Sequence, residues 1–119
     1  MADSVRIETD NGYIIEFPKG IAEDSGRPLD DLREKVPSRI GLPFVIRGKP
    51  GLISARFQFL KEGNEREDII NFDVSSVLRP GGIFTNFTSG VHEMKGEATV
   101  PKDYFPITVH SITIENLSD

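Results

Sequence analysis

Leu52-Ile53-Ser54-Ala55-Arg56-Phe57-Gln58-Phe59 decides the fold class. Ile53, Ala55, Phe57 and Phe59 alternate with Ser54, Arg56 and Gln58. A period of two gives an extended chain one apolar and one wet face, so this stretch predicts a half-buried β-strand. Downstream, the polar stretch Lys61–Asp68 with Gly63-Asn64 near its middle reads as a loop. Ile70, Phe72 and Val74 then alternate with Asn71, Asp73 and Ser75, so the two segments read as a hairpin. Upstream lie Phe44-Val45-Ile46-Arg47 and Gly48-Lys49-Pro50-Gly51. In the latter, Pro presets φ and Gly takes the positive φ of a type II turn.

The rest of the chain carries the same pattern. Val5–Thr9 and Tyr13–Phe17 flank Asp10-Asn11-Gly12 and predict another hairpin. Ile83–Phe87 is a short strand candidate. Val91–Val100 alternates weakly around Gly96, which suggests an edge strand or a bulge. Ile107–Ile114 is the most β-prone stretch, but its phase slips at His110-Ser111, which suggests a bulge or cover on both sides. Residues 18–42 are the least strand-like. Leu29, Leu32 and Val36 recur at helical spacing, Asp30 and Asp31 lie early and Arg33 and Lys35 late, so a short helix is expected over residues 28–35.

Composition agrees with this pattern. The chain has 13 Ile, 8 Val and 8 Phe against 7 Leu and 4 Ala, and β-branched and aromatic side chains suit a pleated surface. About eight strands with Gly, Pro and Asn punctuation predict an all-β single domain over residues 1–119, an antiparallel β-sandwich with one short helix. A small β-barrel is the alternative.

The same 119 residues exclude several chemistries. With no Cys there is no disulfide framework, thiolate metal site or cysteine nucleophile. His92 and His110 are the only imidazoles. His92 and Glu93 are neighbours on an extended segment and point to opposite faces, so no metal or cofactor is expected. No Gly-x-Ser-x-Gly elbow is present, and Arg79-Pro80-Gly81-Gly82 opens no helix that could hold a phosphate. No apolar run spans a bilayer and Met1-Ala2-Asp3-Ser4 starts no signal peptide, so a cytoplasmic protein without membrane contact is expected.

Charge is the remaining signal. The net charge is -5, yet residues 33–56 hold six bases (Arg33, Lys35, Arg39, Arg47, Lys49, Arg56) against the one acid Glu34. An acidic molecule repels nucleic acid but can steer its basic segment toward an anion or an acidic face of another copy. If residues 44–47 and 52–59 pair, Arg47, Lys49 and Arg56 share a wet edge able to dock a carboxylate-rich partner or small anionic ligand. Tyr104 and Phe105 add an aromatic element to these candidate binding residues.

The leading expectation is therefore a non-catalytic binding or assembly module that self-associates or takes a protein partner, with the strand at 107–114 or 91–100 as a free edge. One alternative is a lectin-like module holding a sugar on Tyr13, Tyr104, Phe105, Asn86 and Asp103. The other is a small enzyme with His92 or His110 as general base in a pocket.

Overall fold

The computed structural model describes residues 4–21, 27–29, 39–61, 69–80 and 92–118. The strands are β1 (Val5–Glu8), β2 (Ile14–Phe17), β3 (Arg27–Leu29), β4 (Arg39–Gly48), β5 (Gly51–Lys61), β6 (Ile69–Pro80), β7 (His92–Pro101) and β8 (Ile107–Asn116). They form one antiparallel sheet in the order β1-β2-β4-β7-β6-β5-β8, with β3 beside β4 off this path. The all-β antiparallel class is thus what the chain adopts. The two facing layers are halves of a single curled sheet, a half-barrel.

The corner is β6. Gly51↔Leu78 to Leu60↔Ile69 pair it with β5, while only Arg79↔Glu93 and Pro80↔His92 join it to β7. Curling brings the inner faces together because each carries the apolar half of a two-residue alternation. Phe17 and Phe44 from the β1-β2-β4-β7 half meet Phe57, Phe59 and Phe72 from the β6-β5-β8 half. Phe44 and Phe57 ring centroids are 4.8 Å apart, and Phe17 meets Phe57 edge-on at 6.0 Å. Such edge and tilted contacts add about 0.5–1.5 kcal/mol per pair beyond the area they bury.

The first hairpin forms where expected, with Glu8↔Ile14 its last pair. Gly12 N–H donates to Thr9 O at 3.1 Å, Thr9 N–H donates to Tyr13 O at 2.8 Å, and Gly12 takes φ 92°. This is a three-residue loop closed by a left-handed glycine. The β5–β6 hairpin also forms, and its loop at 62–68 lies outside the described residues. The slip in β8 is a bulge: Gln58 pairs with Ser111 and Phe59 with Val109, leaving His110 without a partner in the register. The expected strand at 83–87 lies outside the described residues.

Three expectations change. First, Lys49-Pro50 does not close a hairpin. Gly51 takes its positive φ of 118°, yet β4 pairs with β2, β3 and β7 while β5 pairs with β6 and β8. The turn passes the chain from one half of the sheet to the other. Second, β7 is no edge strand on its β4 side, where ten residue pairs join Arg39–Gly48 to His92–Pro101 without a register shift. Gly96 is there for space: a Cβ on it would sit 2.8 Å from Cζ of Phe44. Third, the start of the helix expected over 28–35 is a strand, with Pro28 opposite Ile40 and Leu29 opposite Arg39. An eight-residue helix is marginal on its own, so pairing with β4 prevails. Residues 30–38 lie outside the described residues, and the only helical turn among the described ones is a 3-10 turn at Lys102–Tyr104.

Candidate interaction surface

The outer face of the β6-β5-β8 half is built in rows, one residue from each strand. Strand alternation points Leu52, Ser54, Arg56 and Gln58 of β5 outward, opposite Val77, Ser75, Asp73 and Asn71 of β6. On the other flank the register sets Glu115, Thr113 and Ser111 of β8 against Ser54, Arg56 and Gln58. One row is a hydrogen-bonded chain: Ser111 Oγ donates to Gln58 Oε1 at 2.7 Å, and Gln58 Nε2 donates to Asn71 Oδ1 at 3.0 Å. The next holds a forked ion pair, with Arg56 Nε 2.8 Å from Asp73 Oδ1 and Nη2 3.2 Å from Oδ2.

That ion pair sets the local electrostatics. Hydrogen bonding to Asp73 raises the Arg56 pKa, and the same contact lowers that of the Asp73 carboxyl. Because the folded carboxyl is more acidic than in the unfolded chain, the stabilisation it gives is complete above the ordinary carboxylate range. It is lost as pH falls through the folded value. Asp73→Asn should therefore shift the denaturation midpoint slightly at neutral pH, and that shift should vanish in acid. Parallel urea titrations down the acid limb check this. The effect is small because both side chains are more than half exposed, at 55% and 57%.

Ser54, Arg56, Asp73, Thr113, Ile114 and Glu115 line an open depression of about 370 Å³ on this face. Beyond its Ser54 end lies an apolar row. Leu52 is opposite Val77, and Leu117 N–H donates to Leu52 O at 2.7 Å. These three, at 39%, 39% and 48% exposure, are the exposed large hydrophobic residues among the described ones. They lie 25 and 40 positions apart in the chain and meet only through strand register.

The face ends at β8, which among the described residues pairs only with β5. Asn11, at the tip of the first hairpin, reaches across and donates from Nδ2 to Ile114 O at 2.7 Å. Beside it Asn116 Nδ2 donates to the Tyr13 hydroxyl at 2.8 Å and to Pro50 O at 3.3 Å.

The structure separates the five binding residues expected from sequence. Arg47 is on β4 in the other half. It donates to Glu16 at 2.9 Å and to Glu93 at 3.1 Å, and the Glu16 bond, ahead of desolvation, which opposes it, and of Glu93, raises its pKa. Lys49 is exposed on the crossover. Arg56 alone lies in the depression, paired with Asp73. Tyr104 and Phe105 are half-buried against the core, with Lys61 Nζ 5.7 Å from the Tyr104 ring centroid. They sit near the Lys61 end of β5, about 33 Å along an eleven-residue strand from the crossover. The shared basic edge does not exist, because it required β4 and β5 to pair.

The sugar platform also loses a member: Tyr13 is 1% exposed, its ring laid on Gly48, where a Cβ would approach Cδ1 to 2.5 Å. Asn86 lies outside the described residues. His92 is half-buried opposite Gly48, and His110 is exposed on the bulge in the other half; neither lines the depression. Among the described residues no group of three or more His, Cys, Asp or Glu could hold a metal, and no helix is long and apolar enough to cross a membrane.

Comparison with known protein families, curated proteins and solved structures finds nothing that matches this chain.

Proposed function

We propose that this protein is a non-catalytic binding and assembly module that self-associates through the outer face of its β6-β5-β8 half. The observation that supports this is the row Leu52–Val77–Leu117, which gathers the exposed large hydrophobic residues among those described. Scattered single apolar residues are normal on a surface, whereas a contiguous set rimmed by polar residues marks a contact site. Two rows away, past Ser54, Ser75 and Glu115, Arg56 and Asp73 put one charge of each sign on the same face, which a two-fold contact can set opposite one another.

The size of the face sets the strength. Three strands about ten residues long span about 33 Å by 14 Å, roughly 450 Å². That is below the about 800 Å² per partner of a standard stable interface. The expected behaviour is a reversible monomer–dimer equilibrium that follows protein concentration. Sedimentation velocity across a hundredfold concentration range checks it, and Leu52→Glu should weaken association at least tenfold by placing like charges across the two-fold. A monomer at every concentration and ionic strength overturns the reading.

A further inference from the structure

The edge of β8 differs in kind from the outer face, for it ends the strand order of the sheet. In an antiparallel pair the backbone groups of successive residues point alternately toward the partner strand and away from it. Leu117 N–H points to β5, where it donates to Leu52 O, while Ile114 O points away, where it accepts from Asn11. Ile112, two residues before Ile114, shares its outward direction. The edge from Ser111 to Asn116 therefore offers the N–H and C=O groups of Ile112 and Ile114 as a pairing template.

Natural edges are commonly blunted by Lys, Pro or bulges. β8 has neither Lys nor Pro, its one formal charge is Glu115, and six of its ten residues are Ile, Val or Thr. Among the described residues its protections are the bulge at His110, which ends the regular edge, and the Asn11 side chain on Ile114 O.

We infer that Asn11 is the gate on an edge-to-edge interface whose occupant is the β8 strand of a second copy. A two-fold axis through Thr113 sets Ile112 of each copy opposite Ile114 of the other, with both pairs exchanging backbone hydrogen bonds. Ser111 then faces Glu115, so no like charges are directly opposed, and the apolar inner rows of the two copies run together. The Ile114 carbonyl this pairing needs is the one Asn11 holds. The edge pairing does not depend on the outer-face contact. Only growth past a dimer does: two different isologous interfaces on one chain close into a tetramer where their two-fold axes meet at right angles.

The test uses the full chain and keeps the two interfaces apart. Asn11→Ala and Asn11→Ser are made in the Leu52→Glu background and followed by sedimentation velocity and amide hydrogen exchange. Both should raise association at least tenfold over Leu52→Glu alone. The Ile112 and Ile114 amides should gain protection as concentration rises. Adding Thr113→Glu should abolish the gain by opposing two carboxylates on the axis. Thr113 is exposed and sits beside Arg56, so this change leaves the fold intact, as far-UV circular dichroism will show. Folded Asn11 variants that sediment like Leu52→Glu alone overturn the inference, as does a gain that survives Thr113→Glu. Failure of the outer-face reading shows separately, as association that Leu52→Glu leaves unchanged when Asn11 is in place.

Discussion

Phe57→Ala should lower the unfolding free energy by about 4 kcal/mol, within the 3–5 kcal/mol typical of a fully buried phenylalanine truncated to alanine. Phe57 is 0% exposed, and its ring lies 4.8 Å from Phe44, 5.9 Å from Phe72, 6.0 Å from Phe17 and 6.2 Å from Phe59. These neighbours sit on four strands drawn from both halves of the sheet, so none can close the gap alone without disturbing its own pairing. A domain of this size is stable by about 5–15 kcal/mol, so the loss is a large share of the total. Urea unfolding followed by far-UV circular dichroism should show an unchanged slope and a much lower midpoint. A loss below 1 kcal/mol would mean that the two halves do not share this core.

Gly48→Val should cost about 3 kcal/mol, through crowding instead of a void. The Tyr13 ring already lies on Gly48, with Cδ1 2.5 Å from where a Cβ would stand. The ring cannot retreat freely, since its hydroxyl is tied to Asn116 and it is almost wholly buried. Tyr13→Ala makes room for the added side chain. The double variant should therefore be more stable than the sum of the two single losses, a coupling that a double-mutant cycle reads directly. Additive losses would show that Tyr13 and Gly48 do not touch.

Much of the architecture is legible in the amino-acid order because the decisive information is local. The alternation from Ile53 to Phe59 assigns the buried face of β5, Asp10-Asn11-Gly12 places a hairpin loop, and the phase slip at His110-Ser111 marks the bulge. What stays hidden is pairing between distant segments. Lys49-Pro50 reads the same whether the next strand folds back beside β4 or crosses to the other half, and only the second happens. That one choice sends Arg47 to Glu16 and Glu93 and Arg56 to Asp73, separating two arginines that a β4–β5 hairpin would have set on one edge. Gly96 looks like a weakness in a strand, but the volume it lacks is filled by a Phe44 ring from β4. Leu52, Val77 and Leu117 are unremarkable one at a time, and their meaning comes from a shared row that no short window contains.

The Asn11–Ile114 contact also bears on the order of events during folding. The two residues are separated by 103 positions, and closing a loop of that length costs about 4 kcal/mol in chain entropy. One hydrogen bond returns about 1 kcal/mol, so it can form only after the strands between them have assembled. It is therefore among the last contacts made in refolding and, lying at the surface, among the first lost when the protein warms. Before the first of those moments and after the second, a nearly complete molecule carries a β-branched strand without its Asn11 contact, and recovery of native protein from denaturant should fall as its concentration is raised.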